Sequence, residues 1–100
     1  MPTDAVDARM VFAVPRVAEL AEAVADGDSA RIRTLAAGTD LSTRGDKNVT
    51  LLQWALLNRS LAGMKALLDA GADPAQTGVD GDTVMHMAAM ANDTAYLSEL

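Results

Sequence analysis

The sequence predicts an all-α fold of stacked helix pairs, and three observations support this prediction. The first is a fixed period of about 33 residues, which relates Thr50 to Thr83 and Leu52 to Met85. A constant period of this size is typical of chains built from stacked supersecondary units. The second is that apolar residues within each unit recur at i, i+3, i+4 and i+7, the spacing of one helix face. The third is Gly71, which follows such a run as expected where a helix ends.

Composition limits both the core and the partners of this chain. Its 100 residues are enough for one domain at most. Half of them are hydrophobic but only 3% are aromatic, so alanine, leucine, methionine and valine must form the core. The chain has 14 acidic and 8 basic residues, a net charge of −6 and a pI near 4.4. This balance disfavours nucleic acid and anionic membrane surfaces, and it suits either solubility alone or a basic partner.

The absence of certain residue types and segments excludes several kinds of site and location. The chain has no cysteine, which excludes disulfides and thiolate metal sites. No apolar run approaches the roughly 20 residues of a membrane-spanning helix. The N-terminus has no basic start followed by an apolar run, so no signal peptide is predicted. We therefore expect a soluble protein of the cytoplasm or periplasm, with no cofactor and no membrane partner.

Residues 1–14 are predicted to be an extension rather than part of a unit. The first part of this segment is expected to be loose. Phe12 and Val14 are predicted to dock over the first helices as a lid, as either a short strand or a helical turn.

Residues 15–44 are predicted to form a first helix pair with an atypical sequence. Pro15 suits the first turn of a helix, where its missing N–H costs nothing. Gly27 ends this helix, and either Asp28 or Ser29 caps the next. The buried face of the first helix is predicted to hold Val17, Leu20, Ala21 and Val24, and the second is anchored by Ile32 and Leu35 before Gly38.

The next unit shows the pattern more clearly. Residues 41–48 are polar and predict a turn or a hairpin tip. Thr50 caps a helix from residue 51 to about residue 58, and Ser60 caps the one after it. The buried face of that second helix is predicted to hold Leu61, Met64, Leu67 and Leu68.

The last unit is cut short. Residues 78–82 predict a second tip, Thr83 caps a helix from residue 84 to about 90, and the final helix begins at Asp93 or Thr94. That helix has about two turns and cannot be stable alone. Because Leu97 and Leu100 would leave apolar surface uncovered, we expect either a fragment of a longer repeat protein or association through this C-terminal face.

Three segments, 50–55, 67–73 and 81–89, together resemble the ankyrin repeat, a β-turn plus two helices with a T-P-L-H-x-A signature. The resemblance covers residues 15–100. The positions that carry it are Thr50, Leu52, Trp54, Ala55, Leu67, Leu68, Gly71, Thr83, Met85, His86 and Ala88. The chain departs from the family pattern at three positions. Leu51 replaces the proline of the pattern, Gln53 replaces its histidine and Arg59 replaces a turn glycine. Arg59 therefore implies strain or a shifted helix end.

Asparagine takes two further glycine positions of the family. Asn48 and Asn92 stand there, and asparagine is among the few residues that tolerate a positive φ. The first unit is one residue shorter than the usual pattern and lacks the signature. Both departures are expected of a terminal capping unit.

The resemblance implies a right-handed stack of antiparallel helix pairs with β-turn or hairpin tips projecting at right angles. The tips and first helices would line a concave face, and the second helices would form a convex back. The implied organisation is an N-terminal extension packed on the first helices (1–14), a degenerate capping repeat (15–44), one ankyrin repeat (45–77) and one that is incomplete (78–100).

The function that the resemblance implies is recognition of a protein partner through the tips and the concave face. The partner-facing positions carried over are Arg44, Asp46, Lys47, Val49, Leu57, Asn58, Thr77, Val79, Asp80, Asp82, Met90 and Ala91. Their mix of acids with apolar residues suggests an apolar centre and a charged rim. The alternative is a bacterial inhibitor or immunity-type protein that masks a toxic or regulated enzyme.

Candidates for catalysis or metal binding are weak. His86 is the only histidine, and its place in the signature favours local hydrogen bonds and one to the neighbouring turn over a catalytic role. The Asp80-Gly81-Asp82 run resembles a calcium-loop fragment, but Met87 occupies the distal position where such a loop needs glutamate. No nucleophile or paired-carboxylate pattern accompanies them, so we expect no enzyme and no metal.

Two sets of apolar residues have interpretations besides the core. Trp54 is expected to pack between helices, with partial exposure as a binding anchor as the alternative. Met85 is expected in the core and Met87 against the neighbouring unit, whereas the sequence leaves Met90 open between core and ligand contact.

Overall fold

The computed structural model describes residues 8–91 and 94–99. The helices of this part of the chain are α1 (Ala8–Val11), α2 (Pro15–Asp26), α3 (Ser29–Ala36), α4 (Leu51–Leu57), α5 (Leu61–Asp69), α6 (Val84–Met90) and α7 (Thr94–Glu99). Short 3₁₀ turns occur at Asp46–Asn48 and Val79–Gly81. No strand occurs among the described residues, so the predicted all-α class is confirmed there and neither tip contains a β-ladder.

The longer helices form two layers. Helices α2, α4 and α6 lie side by side in one layer, with α4 in the middle. Helices α3, α5 and α7 form the second layer, and each packs against the helix that precedes it in sequence. None of the described helices has the length and apolar character needed to cross a bilayer.

The observed elements follow the period found in the sequence. One full period separates the start of α4 at Leu51 from the start of α6 at Val84. The same spacing separates the two 3₁₀ turns and the starts of α5 and α7. Helix α2 does not follow it, because it begins at Pro15 and has 12 residues where α4 and α6 have 7 each.

The predicted caps explain why the helices begin where they do. The Thr50 hydroxyl accepts from the Gln53 backbone N–H at 3.0 Å, and the Gln53 side-chain oxygen accepts from the Thr50 N–H at 3.0 Å. This reciprocal pair satisfies two donors that a helix N-terminus otherwise leaves open. Thr83 accepts from the His86 N–H at 3.2 Å in the same way. Asp28, rather than Ser29, caps α3.

Left-handed backbone closes several turns. Gly27 ends α2 at φ 70, and Asn48 has φ 67, as predicted for these residues. Arg59 also has φ 56, so the expected strain at this position is present. Lys47 and Asp80, which occupy equivalent positions in the two 3₁₀ turns, share φ values of 56 and 55 that the sequence did not reveal. Residues with a Cβ adopt this region at a cost of order 1–3 kcal/mol, so the surrounding turn must fix them there.

The core is centred on α4. Residues 51–56 are all buried, because α4 is covered by α2 on one side, α6 on the other and α5 behind. The predicted faces are confirmed for α2, where Val17, Leu20, Ala21 and Val24 are all buried. In α5, Met64 and Leu67 are buried, and Leu61 and Leu68 are partly buried.

The N-terminal segment contributes one large core residue. Phe12 is 1% exposed and meets Trp54 edge-on, with ring centroids 5.6 Å apart. The lid prediction is therefore confirmed for Phe12, which directly follows the helical turn α1 and not a strand. It is wrong for Val14, which is 50% exposed. Trp54 itself is buried, and its Nε1 donates to the Ala21 carbonyl at 2.8 Å, so it packs between helices as expected and is no exposed anchor.

One core prediction is wrong. Met85 is 37% exposed, whereas its counterpart Leu52 is 3% exposed. The difference is consistent with the layer, because α4 has a described helix on each side, α2 and α6, whereas α6 has only α4 beside it among the described residues. Met87 is partly buried against the core.

Some predictions concern residues that the structure does not describe. Residues 1–7, Asn92, Asp93 and Leu100, together with the side chain of Leu97, lie outside the described residues. Helix α7 begins at Thr94, one of the two predicted starts.

The two threonine caps can be compared directly. We expect Thr50→Ala and Thr83→Ala each to lower the free energy of unfolding by about 1 kcal/mol, because each removes an N-cap. The loss should be larger for Thr50, which is 3% exposed and whose helix start also includes the Gln53 side chain. Urea denaturation measures both, with exposed Thr77→Ala as the control expected within about 0.5 kcal/mol of the unchanged chain. Losses no larger than that of the control would contradict the capping roles.

Candidate interaction surface

A buried amide joins the two most regular units. The Gln53 side chain is fully buried and lies between α4 and the turn before α6. Its Nε2 donates to the Asp82 carbonyl at 2.9 Å, and its Oε1 accepts from the Val79 N–H at 3.1 Å. The approach is so close that a Cβ at Gly78 would collide with the Gln53 side chain. Gln53, at the position where the resembled ankyrin pattern has histidine, therefore fixes the turn before α6 onto α4.

The loops that carry the 3₁₀ turns lie next to each other, and we call them the first tip (residues 40–49) and the second tip (residues 73–82). Arg44 Nε donates to the Thr77 carbonyl at 2.8 Å, and Gln76 Nε2 donates to the Ser42 carbonyl at 2.7 Å. Each tip is also closed internally by one backbone bond of 2.8 Å, from Gly45 to Val49 and from Gly78 to Asp82. The tips thus form one ridge held by hydrogen bonds rather than two independent loops.

The structure leaves most of the predicted partner-facing residues exposed. The exposed ones are Arg44, Asp46, Lys47, Leu57, Thr77, Asp80, Met90 and Ala91. Asn58, Val79 and Asp82 are partly buried, and Asn58 Nδ2 donates to the Trp54 carbonyl at 2.8 Å. Val49 must be removed from the set because it is 4% exposed and packs in the core.

Two exposed apolar side chains, Leu57 and Met90, lie at equivalent places on neighbouring helices, and we call them the apolar pair. They are 59% and 73% exposed and lie in the last turns of α4 and α6. Met90, which the sequence left open between core and ligand contact, is therefore exposed to solvent.

The tips are predominantly acidic. Their charged residues are Asp40, Asp46, Asp73, Asp80 and Asp82 against Arg44 and Lys47. The first four aspartates are exposed and Asp82 is partly buried. This distribution makes the ridge, at the N-terminal ends of α4 and α6, a region of negative potential.

Asp40 has a perturbed acidity that its turn explains. Its Oδ1 accepts from the Ser42 hydroxyl at 2.6 Å and from the Ser42 N–H at 2.9 Å. These bonds favour the charged form, the hydroxyl most, and hold the pKa of Asp40 below its usual range. Asp73, its counterpart in the second tip, accepts a backbone N–H from Ala75 at 2.8 Å. Both carboxylates shape turns at the base of the ridge.

His86 does not reach a neighbouring turn. Its side chain is 56% exposed, and Nε2 lies 3.7 Å from the Asp82 carboxylate, beyond hydrogen-bond distance. Its backbone N–H donates to the Thr83 hydroxyl at 3.2 Å, so the predicted local hydrogen bond is present. The bond to a neighbouring turn is made instead one unit earlier, by Gln53.

The remaining surface has shallow depressions. One of about 340 Å³ lies beside Phe12 and is edged by Glu19 and Glu22, and one of about 310 Å³ lies between the bases of the tips. Both are open to solvent, unlike the pockets that enclose most of a small ligand. Within residues 8–91 and 94–99, no three His, Cys, Asp or Glu side chains are arranged to hold a metal ion. The exposed tips and the apolar pair are therefore the surface with the clearest capacity for contact.

The sequence can also be compared with known proteins. No family model matches it. The chain is similar to Protein PhlB of Serratia liquefaciens, with 51% identity over 78 residues. The match includes 78% of this chain and 34% of PhlB, so the matched region spans about a third of that protein's length.

The unequal roles of Gln53 and His86 can be measured. We expect Gln53→Ala to lower the free energy of unfolding by about 2–4 kcal/mol, because it removes the Gln53 bonds to residues 50, 79 and 82 and takes the acceptor from the Thr50 and Val79 N–H groups. His86→Ala should change it by less than about 0.5 kcal/mol, because the ring is exposed. Urea denaturation of both variants tests this. Similar losses in the two variants would show that the Gln53 bonds do not hold the units together.

The acidity of Asp40 gives a pH test. Because its folded pKa is lowered, its contribution to stability is present above the unfolded pKa and disappears as pH falls through the folded pKa. We expect Ser42→Ala to raise the pKa of Asp40 toward its usual value, since the stronger of two bonds is lost. Carboxyl NMR titration measures this, with Ser29→Ala as the control. An unchanged Asp40 titration in the Ser42 variant would contradict the assignment.

Proposed function

We propose that this chain is a protein-interaction module of the ankyrin-repeat class that binds a protein partner through its tips and the exposed side of its first helices. The observation that carries the proposal is the apolar pair, two large exposed side chains at the C-terminal ends of two helices whose N-terminal ends carry a polar ridge held by hydrogen bonds. Large apolar side chains exposed next to polar ones are a common feature of binding surfaces.

The regular spacing of the elements supports the repeat class. Turns, first helices and second helices of the last two units recur with a single period. The threonine caps recur with them at Thr50 and Thr83. In a stack of such units, each repeat contributes the same surface positions, so a partner meets side chains in rows.

The bracing of the tips favours binding on energetic grounds. Association costs free energy for every flexible loop and side chain that it orders. Here the Arg44 and Gln76 bonds between tips, and the Gln53 bonds beneath the second tip, order the ridge before a partner arrives. Less of the contact energy is then lost to ordering.

The acidic ridge favours a second candidate of the same fold, an immunity-type or inhibitor protein that masks a toxic or regulated enzyme. Carboxylates on an ordered ridge suit the covering of a cationic active site. In both versions the module itself performs no catalysis, and its acidic tips disfavour nucleic-acid and membrane partners. Association through the surface of α6 on which Met85 is 37% exposed is an additional mode within this proposal.

Dependence of partner capture on the apolar pair tests the proposal. We expect Leu57→Ala with Met90→Ala to weaken binding of a partner recovered from the native source about tenfold or more, because buried apolar anchors commonly carry over about 1 kcal/mol each. The matched control is Met10→Ala with Val14→Ala, which truncates two exposed apolar residues elsewhere. Mass spectrometry identifies the partner, and calorimetry on the purified pair gives the affinities.

The outcomes separate the two candidates. An enzyme that loses activity when bound supports the inhibitor, and a partner without such a loss supports an interaction scaffold. Equal affinity for the unchanged chain and the Leu57/Met90 variant would overturn both.

A further inference from the structure

We propose that the surface formed by the tips and the apolar pair accepts a cationic amphipathic helix of a partner protein. The apolar side chains of that helix would cover Leu57 and Met90, and its lysines or arginines would lie toward the tips. This inference rests on the proposed function and specifies the chemistry of the partner.

The distribution of charge over the two layers supports this choice. The exposed acidic residues of the tips lie at the start of α4 and α6. In the second layer, by contrast, the exposed charged residues of α3 and α5 are mostly basic, with Arg31, Arg33 and Lys65 against Asp69. The molecule is therefore polarised, and a cationic segment is attracted to the tip side in particular.

The dimensions of the surface fit a helix. Because α4 and α6 each have 7 residues, the apolar pair lies about 10 Å along the helix axes from the tips. Packed helices lie about 8–10 Å apart, so Leu57 and Met90 are separated by a similar distance. Residues i and i+7 of a helix are about 10.5 Å apart on one face, which matches this separation. Basic residues along one flank of such a helix would point toward the ridge.

Charge also disfavours the other occupants. A second copy of this chain carries the same net charge of −6 and would bring acidic tips together. An acidic segment or a nucleic acid meets the same repulsion at the tips. A neutral apolar helix could cover Leu57 and Met90, but it would gain nothing from the five tip aspartates.

Three synthetic helical peptides of equal length serve as probes. The first has leucines at i and i+7 with lysines on one flank, the second replaces the lysines by glutamates, and the third replaces the leucines by serines. We expect the first to bind about tenfold or more tighter than either of the others at low salt, measured by fluorescence anisotropy. Its advantage over the glutamate peptide should shrink as ionic strength rises, because exposed charges are screened.

Matched variants of the chain locate the contact. Asp46→Asn with Asp80→Asn should weaken the lysine–leucine peptide about threefold to tenfold at low salt, and asparagine keeps the positive φ of residue 80 accessible. Asp26→Asn with Asp69→Asn makes the same change in net charge on exposed residues at the ends of α2 and α5, and it should leave affinity unchanged. Leu57→Ala with Met90→Ala should weaken the lysine–leucine peptide and leave the lysine–serine peptide unaffected.

Several results would overturn the inference. They are equal binding of the lysine and glutamate peptides, no binding of the lysine–leucine peptide, or equal losses in the tip variant and the Asp26/Asp69 control. Failure of the proposed function is a different result, namely equal affinity of a natural partner for the unchanged chain and for the Leu57/Met90 variant. A natural partner that depends on Leu57 and Met90 but is indifferent to salt and to the tip variant contradicts the cationic helix and leaves the interaction module standing.

Discussion

The Gln53 amide is the interaction on which the arrangement of the second unit against the third depends. It lies in the first turn of α4, where it completes the Thr50 cap, and it also binds the backbone of the turn before α6. One buried side chain thereby fixes a helix start and the position of the next tip. Buried polar groups of this kind are stabilising only when all are satisfied, and the glycine at 78 leaves the space for that approach.

The consequences of this junction reach the surface. Because the second tip is fixed on α4, Arg44 of the first tip and Gln76 of the second tip can each donate a hydrogen bond to the other tip. These bonds join the two tips into one ridge. Helices α4 and α6 are held side by side, so that Leu57 and Met90 lie in the last turns of adjacent helices although a full period separates them in sequence. The candidate surface is thus a product of packing between units, and neither unit forms it alone.

The N-terminal segment adds a different constraint. Phe12 fills the space against Trp54 and close to Gly45, where a Cβ would meet the Phe12 ring at 2.9 Å. An aromatic residue that lies outside the 33-residue period thus packs against both α4 and the first tip. The apolar pair, at the C-terminal ends of α4 and α6, remains exposed.

Local pattern in the sequence determined the helices, their caps and the buried faces of α2 and α5. These features depend on residues within one or two turns of each other, so spacing and capping chemistry are enough to predict them. The resemblance to ankyrin repeats also placed Arg44, Asp46 and Leu57 at positions that the structure exposes.

Tertiary structure alone decided the rest. Val49 is buried and Met85 exposed because burial depends on which element packs against a residue, and positions one period apart have different neighbours. Lys47 and Asp80 adopt positive φ because the tip's closing bonds override the preference of their side chains. The partners of Phe12 and Gln53 lie far along the chain, at Trp54 and Asp82. No local pattern encodes such pairings, because they exist only once the helices have packed.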